Sequence, residues 1–279
     1  MAFPPVDFRY HAGDDAVLLI HGLAGAPSEM RFIGRSLANA GFSVHGVQLA
    51  GHGGSEADLL ATGWQDWYGS VEQAFLDLKR GFRSVSVAGL SMGALLTLQL
   101  AARRAGEVSA IGLYSTTLWY DGWSIPRTRF LLPIAMRMGL LRNYRFVERE
   151  PFGIKDERLR RRVAEQMRRG ESAAAGLYAT PARSLQQLWA LSADTLQRMA
   201  QVHCPSLIAH AIDDDISSAR NALHLGRNLA GPVRHLWLDD SYHMITIDRQ
   251  RQQVASETAR FFRMPPGRTG AICVDHAAA

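Results

Sequence analysis

Unbroken apolar runs of strand length alternate with stretches at helical spacing through the first 114 residues. Ala16–Ile20 reads Ala-Val-Leu-Leu-Ile, too continuous for a strand with one wet face, and so predicts an interior parallel strand. It ends in the glycine-bearing loop His21-Gly22-Leu23-Ala24-Gly25-Ala26. Pro27 and Ser28 then open a helix through Met30, Ile33, Leu37 and Ala38, which Gly41 stops. Phe42–Val47 is the next strand, and Ala50–Ser55 has loop composition. Thr62-Gly63-Trp64-Gln65 fits a capping box ahead of a helix carrying Trp67, Val71, Phe75 and Leu78. Val85–Ala88 gives a β-branched strand, an apolar helix follows to about Arg104, and Val108–Tyr114 gives another strand.

That alternation is the pattern of an α/β fold, a mostly parallel central sheet with helices on both faces. It breaks off at Ser115, and up to Val202 the chain offers helical periodicities and loops without a convincing strand. Arg158–Arg168, with Leu159, Val163 and Met167 on one face, and Ser184–Leu191 are the helices predicted there. The alternation resumes with Ser206–His210, a helix over Ala219–Leu229, a strand at Val233–Leu238 and a last helix from about Asp248 to Phe262. Residues 1–114 and 203–263 therefore read as one core, and residues 115–202 as an insertion over it. Residues 264–279 read as a tail without periodicity, expected to fray.

Composition narrows the function classes. At 279 residues and 47% hydrophobic, the chain has ample material for a buried core. The net charge of +5 is local: Arg142–Arg169 holds ten Lys/Arg against five Asp/Glu, and the remainder is near neutral, so no nucleic-acid partner is implied. No apolar run approaches the ~18 residues of a membrane span, and the amino terminus lacks a basic and apolar leader. With only Cys204 and Cys273, a disulfide framework is not expected, and a cytoplasmic protein is. The basic helix beside apolar residues leaves room for weak contact with an anionic surface, without stable insertion.

The chemistry centres on Gly89-Leu90-Ser91-Met92-Gly93, between a predicted strand and a predicted helix. A serine on so sharp a turn points its hydroxyl outward, and side chains in place of either glycine would collide with the packed strand and helix. A serine hydroxyl needs an imidazole to take its proton and a carboxylate to orient that imidazole. His243 follows the last predicted strand, and Asp213-Asp214-Asp215 follows another, giving the chain order Ser, Asp, His. Three consecutive aspartates cannot all face one imidazole. Asp214 is placed as the acid, with Asp213 and Asp215 as solvent or loop-capping residues and as the alternatives. The backbone amides of Leu23 and Met92 are the predicted oxyanion donors.

Ile20-His21-Gly22-Leu23-Ala24-Gly25, Gly51-His52-Gly53, the elbow, the Asp214 loop and His243-Met244-Ile245-Thr246-Ile247-Asp248 together resemble the bacterial carboxylesterase and monoacylglycerol lipase group of α/β-hydrolases. The resemblance covers about residues 16–114 and 203–263. It implies an eight-stranded core, a helical cap between strands six and seven, no metal or other cofactor, and hydrolysis of short- to medium-chain esters or monoacylglycerols. Ala50 departs from it, standing where a proline usually precedes Gly-His-Gly. His21 and His52 are read as loop supports. Trp119, Tyr120, Trp123, Phe130, Leu131 and Leu132 are candidates for lining an acyl pocket, the first three as substrate contacts. A thioesterase, a C–C hydrolase and a non-catalytic binding protein on the same fold stay open.

Overall fold

The computed structural model describes residues 7–169 and 176–264. β2 (Asp15–Ile20), β3 (Ser43–Val47), β4 (Ser84–Leu90), β5 (Ile111–Tyr114), β8 (Ser206–Ala211) and β9 (Val233–Leu238) form a parallel sheet, with β1 (Phe8–Tyr10) antiparallel on the β3 edge. The spatial order is β1-β3-β2-β4-β5-β8-β9. β2 and β4 are buried almost throughout because helices cover both faces. Register aligns the carboxyl ends: Ile20 pairs Gly89, Leu90 pairs Tyr114, Tyr114 pairs Ala209 and Ala211 pairs Leu238. Loops leaving these ends therefore share one rim.

Helices α1 (Arg31–Asn39), α2 (Glu56–Leu60), α3 (Trp64–Gly81), α4 (Met92–Arg103), α8 (Ala219–Asn228) and α9 (Arg251–Phe262) surround the sheet. α4 is buried from Met92 to Ala102, so it is apolar all round rather than amphipathic, as a helix enclosed by neighbours must be. The cap of α3 lies one residue later than the spacing predicts. Asp66 accepts the Gly63 amide (2.9 Å), while the Thr62 hydroxyl accepts Trp67 Nε1 (3.0 Å). A capping box does form nearby, where Ser55 and Asp58 start α2. Cys204 is a free thiol ahead of β8, and Cys273 lies outside the described residues.

Three expectations change. The sheet has seven strands among the described residues, not eight, so the insertion falls between its fifth and sixth strands in chain order. Among the described residues only three-residue β1, too short to show a period, precedes β2. The insertion carries α5 (Leu132–Arg137) and α6 (Glu157–Arg168), but also a strand pair, β6 (Arg145–Val147) with β7 (Ala179–Pro181). α7 (Ala182–Arg198) belongs with the core rather than with the insertion, because Leu185, Leu188 and Leu191 bury in the cluster that includes Leu95 and Leu98 of α4. The expected fraying beyond Met264 lies outside the described residues. No described helix is long and apolar enough to cross a membrane.

Candidate active site

Ser91 joins β4 to α4 at φ 55°, ψ −112°, a left-handed conformation costly for any residue with a Cβ. The two flanking glycines make it possible. A Cβ on Gly89 would stand 2.1 Å from the Gly93 carbonyl oxygen, and one on Gly93 would stand 2.3 Å from that of Ile20. The second contact also draws the elbow against the loop after β2. There Met92, first residue of α4, has a helix-start amide with no partner within its own helix, and Leu23 is the second residue of the loop turn closed by Gly25 N–H to Gly22 O (3.3 Å). These are the two amides expected at an oxyanion hole.

The loop is held from outside the motif. Glu29, just ahead of α1, accepts the Gly22 amide (3.1 Å), and a Cβ on Gly25 would fall 2.1 Å from its carboxylate. Burial pushes the Glu29 carboxyl up to about 7 against the opposing pull of the Gly22 and Ala26 amides and of His243. His21 is buried and supports the loop, as read from the sequence. Its Nε2 accepts the Leu49 amide (3.3 Å), so Nδ1 carries the proton and donates to Gly22 O (2.9 Å). Burial holds it neutral, with its pKa down to about 3. His52 anchors the next loop through Ala50 O (3.0 Å), its ring edge-on to Trp67 and His21.

Asp214 and His243 meet. Nδ1 of the ring lies 2.8 Å from Oδ2 and 3.0 Å from Oδ1 of Asp214, so the carboxylate engages that ring nitrogen and not Nε2. Both residues are buried. Asp214 is built to remain ionised, since Oδ1 also accepts the amides of Ile216 (2.9 Å) and Ser217 (2.8 Å) and Oδ2 the Ser217 hydroxyl (3.3 Å). Burial works to raise its pKa, and His243 with these donors outweighs that, holding it below the usual carboxylate range. For His243 burial opposes the charged ring, and the carboxylates of Asp214, Asp215 and Glu148 overcome it, raising its pKa above the ordinary 6.5. His210 lies beneath, donating Nε2–H to Ser217 O (2.8 Å).

The Ser91 hydroxyl rests on Thr117, with 3.0 Å between the two oxygens. Because Thr117 donates its own proton to Ser115 O (3.3 Å), Ser91 is the donor in that pair. Among the described residues it makes no hydrogen bond to His243.

The three aspartates separate. Asp213 is exposed, with Lys155 Nζ 3.8 Å away. Asp215, expected as a solvent or loop-capping residue, is no solvent residue: it is 1% exposed and accepts main-chain amides from two loops. The aromatic candidates separate too. Tyr120 is partly buried against the main core cluster. Trp119 packs against Arg220 and His224 of α8. Trp123 is 60% exposed, its Nε1 on Asp213 O (3.0 Å) and its ring edge-on to Tyr242, which places it on the rim rather than inside. Phe130 (69%) and Leu131 (49%) face outward, while Leu132 is partly covered. Thr117, Glu29 and Ser217 lie beside these groups and no sequence signal marked them. No group of described residues has the make-up of a metal site.

Known proteins resemble this chain in sequence and in fold. The chain is 27% identical to a carboxylesterase of Bacillus subtilis (strain 168) over 272 residues, 92% of this chain and 96% of the relative. It is also 27% identical to a thermostable monoacylglycerol lipase of Bacillus sp. (strain H-257), covering 93% and 95% of the two chains. In fold it resembles the monoacylglycerol lipase of Paleococcus ferrophilus (TM-score 0.77, 14% identity, 93% and 98% covered). It likewise resembles a chain from the metagenome-derived lipolytic enzymes LipS and LipT (TM-score 0.76, 23% identity, 92% and 96% covered). The Hydrolase_4 model, described as serine aminopeptidase, S33, matches residues 12–250, a span that takes in the elbow, the acid and the histidine, and the chain belongs to that family of α/β-hydrolases.

Proposed function

We propose that Ser91, His243 and Asp214 hydrolyse carboxylic esters, of short to medium acyl chain or monoacylglycerols, through an acyl-enzyme. The observation that carries this is the two-oxygen grip of Asp214 on His243 Nδ1, at the same rim as a serine strained out of its turn. Nε2 takes the hydroxyl proton as Ser91 Oγ attacks the ester carbonyl, and Asp214 stabilises the imidazolium that forms. The developing oxyanion meets the amides of Leu23 and Met92. Imidazolium then protonates the departing alcohol. A water, deprotonated by the same ring, releases the acid and restores Ser91.

The test is a substrate panel of p-nitrophenyl esters, monoacylglycerols, acyl thioesters and aminoacyl p-nitroanilides, compared by kcat/KM. Esters and monoacylglycerols are expected to lead. A lead for the thioesters or the anilides overturns the ester assignment, and the anilides address the peptidase wording of the family description.

The described part of the insertion acts as a cap over the site, with Tyr120 on the substrate side and Trp123 at the entrance. Its outer surface exposes Phe130, Ile134 and Met138, spaced four residues apart, and residues 122–147 hold five arginines and no acidic residue. α6 turns Leu159, Val163 and Met167 partly inward, so weak contact with an anionic lipid surface is assigned to the 122–147 stretch rather than to α6. Co-sedimentation with anionic but not zwitterionic vesicles is expected; no dependence on lipid charge removes this part. The thiol at Cys204 suits a reducing cytoplasm.

A further inference from the structure

Beyond the triad, two buried carboxylates each receive main-chain amides from the His243 loop and from the insertion. Asp215 is 1% exposed; Oδ1 accepts the His243 amide (3.3 Å) and Oδ2 the Gly153 amide (3.2 Å). Gly153 in turn accepts the Met244 amide on its carbonyl (2.8 Å). Asp248 is fully buried; Oδ2 accepts the amides of Tyr242 (2.9 Å) and Lys155 (2.8 Å), and Oδ1 that of Asp156 (2.9 Å). Five amides thus converge on two carboxylates, two from the histidine loop and three from the 153–156 stretch.

We propose that Asp215 and Asp248 are positioning residues that strap the 153–156 stretch onto the histidine loop, so that His243 is placed through its main chain by the insertion as well as through its ring by Asp214. The inference rests on the triad reading above. A buried carboxylate that loses its donors is strongly penalised, so the stretch cannot lift away while the loop stays put. The fit is close at Gly153. At φ +70° a Cβ there would come 2.9 Å from Met244 Cγ and 3.0 Å from His243 Cβ, so only glycine lets the strap lie this near the ring. On the outside, Lys155 Nζ donates to Asp239 O (3.2 Å), pairs with Asp240 (3.4 Å) and covers the Tyr242 ring.

Asparagine is the discriminating substitution, because it has one acceptor oxygen and must turn an NH2 toward one of the amides. Asp215→Asn is expected to lower kcat on a small soluble ester by about 10²-fold at unchanged KM, as misplacement of a catalytic group does. It should also move the acid limb of the pH–rate profile to lower pH. The groups acting on His243 are Asp214, Asp215 and His210 from β8 and its loop, Glu148 from the insertion and Glu29 from the loop after β2; removing the Asp215 charge takes away one that raises the ring's pKa. Asp213→Asn, at the exposed neighbour, is the control. A folded Asp215→Asn with wild-type kcat and an unmoved limb overturns the proposal.

Should that variant not fold, amide hydrogen exchange on the wild-type protein decides. Gly153, Lys155 and Asp156 should open together with His243 and Met244, and exchange more than about 100-fold faster in the insertion amides refutes the strap. Exchange does not depend on activity, so failure of the triad reading, seen as a wild type inert to a fluorophosphonate probe, is told apart from failure of the strap.

Discussion

The elbow and the outer insertion hold their residues in opposite ways. At the elbow two glycines lie against carbonyl groups, Ser91 is fixed at a positive φ, and α4 behind it is buried from Met92 to Ala102. Across residues 123–147, by contrast, Trp123, Phe130, Ile134, Met138 and Tyr144 stand exposed. Oxyanion donors act by being in place before charge develops, so they need atoms that do not move. A surface that meets substrates of varied shape gains nothing from that rigidity. The proposed bond-breaking groups lie where the chain is packed most tightly, and the proposed cap surface lies where its side chains are least enclosed.

The sharpest way to break this contrast is at the nucleophile. Ser91→Ala should lower kcat on p-nitrophenyl butyrate by about 10⁴-fold or more with an unchanged melting temperature. Residual turnover near wild type would move the chemistry elsewhere. Asp214→Asn should cost about 10⁴-fold in kcat and Asp213→Asn about twofold or less, measured side by side; the opposite ranking reassigns the acid. Gly93→Ala should destabilise the fold by about 1–3 kcal/mol, read from a denaturant midpoint, since its Cβ has no room against Ile20.

The pH profile sharpens the picture at the ring. His243 must be neutral to accept the Ser91 proton, and its pKa is raised, so kcat/KM should rise with pH through a value above 6.5. A limb below 6.5 would mean that the surrounding carboxylates do not act on it. The smallest effect belongs to the insertion. Phe130→Ser with Ile134→Ser should lower the rate on emulsified monoacylglycerol by about 3- to 10-fold and leave a water-soluble ester unchanged. A matching loss on both substrates would make these residues part of the fold instead.

Most of the core was legible because its signals are local and periodic. The apolar run before His21, the Gly-x-Ser-x-Gly turn and the loops holding Asp214 and His243 each announce themselves within a few residues. What escaped notice depends on partners distant in sequence. Glu29 reads as an ordinary first-turn acid until Gly22 and Gly25 are seen closed around it. Thr117 has no motif and acts only because β4 and β5 end level. Asp215 differs from Asp213 by which way a loop turns, which three identical letters do not record. Phe130 and Leu131 face outward rather than into a pocket, a difference the sequence does not carry, since an apolar side chain looks the same there whether it faces inward or outward.

The surroundings of Cys204 bear on how the protein is handled at the bench. Burial pushes its thiol up to about 12, so at neutral pH that sulfur should carry almost no thiolate and react slowly with maleimides and iodoacetamide. Blocking cysteines in a crude extract should therefore spare position 204 while silencing thiol-dependent hydrolases, and a serine-directed label applied afterwards would report this protein against a quieter background.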